Sequence, residues 1–220
     1  MDLQNNKDFF INNIEMVSSP SISIISPLYI DDRVSNDTLS SITKNNTSYN
    51  WISVESKNNT MKNFEIGINY LKEKDLLADY VIKIDNDTIW EPHTLDYLIY
   101  TLKNTQENIC YSYCSFKYEG YINIKFPAIK FNSEKLKQGN YISSNSLFKS
   151  SIFNKINLVI DDKYKRLLDW AYYLKLLNNG YYGIASPGFF IAKSSKKSIS
   201  ASSKEDYKIK FNRVIKDFLK

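Results

Sequence analysis

The 220-residue chain is poor in the residues that announce several protein classes. It has two cysteines, one histidine, six glycines and five prolines. So little glycine and proline excludes collagen-like and low-complexity architectures. Cys110 and Cys114, with one histidine, can build neither a disulfide framework nor a four-ligand zinc site. In a strand they would stand ~13 Å apart, too far to bridge, and they read as core thiols in a reducing compartment. No apolar run approaches the ~18 residues a membrane span needs. The first residues show no basic segment followed by an apolar one, so a soluble, cytoplasmic protein is expected. The net charge is only +5 and the lysines are scattered, which argues against a nucleic-acid partner. Serine-hydrolase elbows, phosphate-binding P-loops and dinucleotide fingerprints are all missing.

What is present suits one globular domain: 43% hydrophobic residues, 15% aromatic, with 17 tyrosines and 12 phenylalanines for a sizeable core. Phe9, Phe10, Ile14 and Val17 fall at helical spacing, so a short helix is expected over 7–17. Residues 21–26 alternate as a strand and stop at Pro27. A helix is expected around 37–45, a strand over 49–54 and a helix over 61–73. A strand over 79–84 and a helix from Pro92 to about Lys103 follow. Three strand–helix units in succession predict a parallel sheet with crossover helices, with ligands at the carboxyl ends of its strands. That edge collects Pro27 to Asp31, Glu55 to Asn59 and Asp85 to Asp87. Further on, strands are expected over 109–116, 121–131, 145–149, 181–185 and 188–193. Helices are expected over 150–156, 162–178 and 205–219.

Two places carry chemistry. In Asp85-Asn86-Asp87, two carboxylates one residue apart follow a buried strand. They can hold a divalent cation from one side and leave its other positions to a phosphorylated ligand. The same triplet also reads as an ordinary solvated turn. Asp169 lies in the nearly apolar run Leu167-Leu168-Asp169-Trp170-Ala171-Tyr172-Tyr173-Leu174, where burial would raise its pKa toward that of a general base. Alternatively it pairs with Lys165 on a mildly polar helix stripe.

Five segments in order resemble the family 2 glycosyltransferases, nucleotide-sugar enzymes of the GT-A fold. Ser23-Ile24-Ile25-Ser26-Pro27-Leu28-Tyr29 resembles the family's first strand. Val54 to Thr60 sits where its acidic turn falls. Tyr80 to Ile89, followed by Pro92, is similar to its Asp-X-Asp segment. Gly139 to Lys149 resembles its acceptor-side strand, and Leu168 to Leu176 its Glu-Asp-Trp helix. The resemblance implies an α/β, GT-A-like fold with a Rossmann-type, mostly parallel mixed sheet flanked by helices. About 21–103 would bind the nucleotide-sugar, about 104–204 the acceptor, and 205–220 would form a C-terminal helix. It further implies that Asp85 contacts ribose and shares with Asp87 the binding of Mn²⁺ or Mg²⁺. Pro27, Tyr29 and Glu55 would line the base pocket, and Asp169 would be the catalytic base of an inverting transfer. A UDP-sugar donor, a glycan, lipid-linked or protein acceptor, and a role in bacterial surface polysaccharide or glycoconjugate synthesis follow from the same likeness.

The chain departs from that pattern in three places. Leu168 stands where the family has Glu, Glu55 where Asp is usual, and no histidine follows the last strand. Either Lys193, Lys196 or Lys197 contacts the diphosphate instead, or the loop is a solvated basic segment. The lysines and aromatics of the last helix would suit an anionic membrane surface, and would equally suit a cap on the domain's own core. A non-catalytic sugar-nucleotide-binding module is the rival reading of the whole chain. A nucleotidyltransferase is disfavoured because no Gly-rich, Arg-bearing loop lies near the first strand.

Overall fold

The computed structural model describes residues 9–158, 160–194 and 204–219. Its centre is the strand β2 (Ile22–Leu28), buried along its whole length. It runs parallel to β3 (Tyr49–Ser56) on one side and to β4 (Tyr80–Lys83) on the other. A strand covered on both faces must satisfy its hydroxyls internally. Ser23 Oγ accordingly accepts from the Ala78 amide at 2.9 Å, and Ser26 Oγ accepts from the Trp51 indole at 3.0 Å.

The crossovers are the helices expected from the periodicity. Helix α1 (Asn36–Ile42) is capped by Ser35, whose hydroxyl accepts from the Thr38 amide. Helix α2 (Thr60–Glu73) is capped by Asn59, which accepts from Lys62. It lays Met61, Phe64, Ile68 and Leu71 on the sheet. Gly67 permits that approach: a Cβ there would lie 2.7 Å from Ile25 Cγ2. Helix α3 (Thr94–Lys103) begins two residues after Pro92, behind His93 in a left-handed conformation.

The sheet is mixed rather than mostly parallel. Its order is β1-β3-β2-β4-β8-β6-β9-β5, with β7 paired to β6. Here β1 is Phe9–Glu15, β5 Thr88–Trp90, β6 Ile109–Gly120, β7 Ile124–Phe126, β8 Leu147–Lys149 and β9 Tyr182–Ser194. Among the described residues three pairings are parallel and five antiparallel. Hydrophobic periodicity shows that a segment is a strand, not which way its neighbour runs. Strands β2, β3 and β4 follow one another through crossover helices, so the parallel rule holds there, and β6 with β9 is the other parallel pair among the described residues.

The expected helix over 7–17 is instead the edge strand β1, antiparallel to β3. Phe9 and Ile11 turn inward while Phe10 and Asn12 face solvent, a period of two that pairs the otherwise open edge of β3. The helix expected over 162–178 is a 3-10 segment, Asp162–Leu167, running into α6 (Leu168–Asn178). The two expected short strands near the end are the single β9, bent at Gly188 with φ 110°. Two short helices, α4 (Ser133–Gln138) and α5 (Ile152–Lys155), complete this half, α4 falling in a segment without periodic signal.

Helices α2 and α6 cover one face of the sheet, and α1 and α3 the other. The last helix, α7 (Lys204–Phe218), caps the first of these layers. Phe211 stacks on Trp170 with ring centroids 4.8 Å apart, Phe218 meets Tyr164, and Val214 is fully buried. Much of the aromatic face that suggested a membrane surface thus packs on the domain itself, although Tyr207 and Ile215 are exposed. No described helix is long and apolar enough to cross a membrane. Cys110 and Cys114 are free and buried.

Candidate active site

The carboxyl ends of β2, β3 and β4 are tied into one rim. After β2 the chain turns at Asp31, held left-handed at φ 70°, and the Asp31 amide donates to Glu55 Oε1 at 2.9 Å. Glu55, at the end of β3, thereby fixes the loop that carries Tyr29. Pro27 is buried in β2 opposite Val54, whereas Tyr29 is 42% exposed. The loop is then fastened to the segment after β4: the Ser35 amide and the Thr38 hydroxyl both donate to the Asn86 carbonyl, at 3.0 and 3.1 Å.

Asp85 and Asp87 face different surroundings, although one residue separates them. Lys83 Nζ donates to Asp85 Oδ1, and Asn145 Nδ2 donates to Oδ2 at 3.0 Å. Asn145 also accepts from the Asp85 amide at 2.9 Å, so one buried side chain grips both ends of the residue. Asp87 reaches solvent from a crowded wall. Burial first, then the charge of Asp85, push its carboxyl from the usual 3.8 up to about 6; Asp32 adds to the rise and Lys83 opposes it.

Asp169 stands in the first turn of α6 and is partly accessible. Asn140 Nδ2 donates to its Oδ2 at 2.8 Å, and the Trp170 amide to its Oδ1 at 2.8 Å. Burial raises its carboxyl to about 6 against the pull of the Trp170 amide, Lys83 and Asn140. One turn on, Tyr173 donates to the Ser143 carbonyl at 2.5 Å, locking α6 to the segment that carries Asn145. Lys83 therefore acts electrostatically on Asp85, Asp87 and Asp169 together. The Lys165 partner weighed for Asp169 lies outside the described side chains.

Lys193 is brought beside Asp87 through the backbone, its amide donating to the Asp87 carbonyl at 3.0 Å. Its ammonium turns to Glu119, 2.5 Å away, in the neighbouring strand. Lys196 and Lys197 lie outside the described residues. His93 is exposed and bonds Asp96 at 3.1 Å, away from these acids.

Among the described residues no group of three or more His, Cys, Asp or Glu side chains could by itself hold a metal ion. Both Asp85 oxygens already accept hydrogen bonds, which leaves Asp87 as the carboxylate short of positive charge. This donor set does not suit an all-protein metal cage. It does suit a hard divalent cation held by one carboxylate and completed by phosphate oxygens. An open depression of about 540 Å³, bounded by Lys72, Asp79, Tyr80, Lys149 and Ser150, lies by the amino end of β4 and touches none of these residues.

Lys83, Asn140 and Asn145 were not legible as site residues. Lys83 did leave a signal, as a lysine inside the apolar strand Tyr80-Val81-Ile82-Lys83-Ile84 two residues before an acid. The two asparagines lay inside the segment that resembles an acceptor-side strand, but nothing singled them out in so asparagine-rich a chain.

No protein-family model matches the chain, and no curated protein matches it in sequence. Solved structures do match in shape, among them a mannosyltransferase and structures in complex with nucleotide-sugars. Residues 1–349 of TarS from S. aureus, in complex with UDP-GlcNAc, match with a TM-score of 0.63 at 12% identity, over 90% of this chain and 67% of that one. The same segment with UDP gives 0.59 at 13% identity, over 90% and 66%. The mannosyltransferase PcManGT from Pyrobaculum calidifontis, in complex with GDP-Man and Mn²⁺, gives 0.50 at 14% identity, over 90% and 65%. The chain thus spans about two thirds of those structures, and 39% of a longer TarS structure. At such low identity the likeness shows the fold: a GT-A-like glycosyltransferase fold built on a curled mixed sheet.

Proposed function

We propose that the protein transfers a sugar from a nucleoside-diphosphate donor to a hydroxyl acceptor, with inversion at the anomeric carbon. The observation that carries this reading is that Lys83, the only buried charged residue among the described residues, bonds Asp85 and lies within electrostatic reach of Asp87 and Asp169. The fold, shared with nucleotide-sugar transferases, supports it.

In this reading Asp85 receives the ribose hydroxyls, and Pro27, Tyr29 and Glu55 border the base. Asp87 holds Mn²⁺ or Mg²⁺ together with the donor's diphosphate. The cation supplies charge neutralisation for the departing nucleoside diphosphate. Asp169 accepts the proton of the acceptor hydroxyl as its oxygen bonds to the anomeric carbon and the bond to the diphosphate breaks. Asn140 fixes the Asp169 carboxylate while the raised pKa keeps it basic enough to take that proton. Lys193, paired with Glu119, contacts the diphosphate only if that pair opens. A UDP-sugar is the favoured donor, and a bacterial surface glycan or glycoconjugate the favoured product, on the strength of the motif resemblance.

The test is donor consumption with UDP-GlcNAc and GDP-Man, with and without Mn²⁺, followed by nucleotide release. Turnover that disappears in Asp169→Ala while nucleotide binding persists is the expected result. Binding without turnover in the unaltered protein would instead favour a non-catalytic sugar-nucleotide-binding module.

A further inference from the structure

Among the described residues Lys83 is the only charged residue buried from solvent, at 1% exposure. It sits at the last position of β4, in register with Ile25 of β2. Side chains alternate along a strand, so Val81 and Lys83 share a face of β4. Val81 belongs to the layer that holds Trp170 and Tyr173 of α6. The Lys83 stem therefore runs between the sheet and α6, and its ammonium emerges against Asp85. Asn145 closes on the same carboxylate from the other side. A buried ion pair is a weak stabiliser compared with apolar residues of similar volume, so packing alone gives little reason for a lysine here.

We propose that Lys83 is a positioning residue for the donor: bonded to Asp85 Oδ1 and opposed by Asn145 at Oδ2, it fixes the Asp85 carboxylate in the orientation that receives the sugar-nucleotide's hydroxyls. The inference rests on the transfer reading above and deepens it, because it assigns donor affinity to a side chain that never touches the donor. Its charge acts on Asp169 as well, but its contact is with Asp85, so the main loss on removal falls on donor binding.

Titration calorimetry with UDP-GlcNAc and GDP-Man in the presence of Mn²⁺ tests it. Lys83→Met weakens binding of the preferred nucleotide-sugar by about 10- to 100-fold, as loss of a support behind a ligand-holding side chain does. In turnover the donor KM rises by the same factor while kcat changes much less. Lys83→Arg recovers most of the affinity. In an Asp85→Asn background Lys83→Met adds little, because both changes remove one interaction. Circular dichroism establishes that each variant folds, and should Met fail, Lys83→Leu removes the same contact with Asp85 and carries the same comparison. Unchanged affinity in a folded variant that lacks the Asp85 contact (Lys83→Met or Lys83→Leu), or losses that multiply in the double variant, would overturn the Lys83 assignment alone. If the unaltered protein binds neither nucleotide-sugar, the transfer reading fails and this assignment falls with it.

Discussion

The two halves of the sheet contribute differently to the site. The parallel half, β3-β2-β4, supplies acids at its strand ends and ties them through backbone bonds such as Ser35 to Asn86. The half built on β8, β6 and β9 supplies Asn145, which holds Asp85 from its other side, and Asp169, the base of the proposed transfer. Asn145 precedes β8, Asn140 follows α4, Asp169 opens α6, and Lys193 ends β9. A cation near the first half's acids and a base in the second would divide donor from acceptor along the sheet. The difference teaches that the acid pair alone would be an ordinary turn. What distinguishes it is the buried Lys83 and the amides brought from far along the chain.

The largest expected effect lies in the second half. Asp169→Asn should lower the transfer rate by about 1,000-fold, within the range for loss of a general base, and leave nucleotide affinity within about threefold. Stopped assays of nucleotide release beside calorimetry read both numbers. If affinity falls as far as rate, donor and acceptor functions are not divided between the halves.

pH sharpens the same division. With its carboxyl raised to about 6, Asp169 is ionised only above that value, so the transfer rate should climb through about pH 6 and level off beyond it. Stability should run the opposite way. A carboxyl whose folded pKa exceeds its usual 3.8 binds its proton more tightly in the folded chain. That stabilisation is complete below about 4 and is lost as pH rises through about 6. The metal- and nucleotide-free protein should therefore melt at a lower temperature at pH 7.5 than at pH 5, once other titrations are subtracted using Asp169→Asn. The variant itself should be more stable at pH 7.5 by about 1 kcal/mol, a fraction of the full linkage because solvent reaches the group. Denaturant unfolding at both pH values checks the sign. Such a gain, beside lost activity, is the trade expected of a functional acid.

The smallest effect is expected at Lys193. Its ammonium faces Glu119, and both are substantially exposed, so Lys193→Ala should change donor KM by less than about threefold. A loss of the size expected for Asp169→Asn would mean that the Glu119 pair opens on binding and that the end of β9 belongs to the donor site.

The first half was the more legible in the sequence, for physical reasons. Its strands are short, largely apolar segments bounded by Pro27, Glu55 and Asp85, and α2 repeats Met61, Phe64, Ile68 and Leu71 at a clear helical period. Asp169 stood out as a carboxylate in a nearly apolar run, and the resemblance in five segments gave it a role and pointed to the acceptor side. What stayed hidden depends on pairing rather than pattern. Residues 9–15 carry apolar side chains that fit a helix as readily as a strand, and only the open edge of β3 decides. The irregular register of β6 against β9, between Ile109 and Tyr111 and between Tyr113 and Ser115, likewise left no mark in the sequence. Asn140 and Asn145 act across 29 and 60 residues, distances over which composition carries no signal.

The central claim of the proposed transfer is that Asp87, left short of positive charge beside an Asp85 already held by Lys83 and Asn145, is the group through which a divalent cation joins the protein to a diphosphate. Titration of UDP and GDP into the unaltered protein and into Asp87→Asn, each with and without Mn²⁺, tests it most directly. The account predicts that Mn²⁺ tightens binding of one nucleotide in the unaltered protein and that Asp87→Asn loses this enhancement, by about 100-fold or more. An equal Mn²⁺ enhancement in both proteins, or none in either, would contradict it.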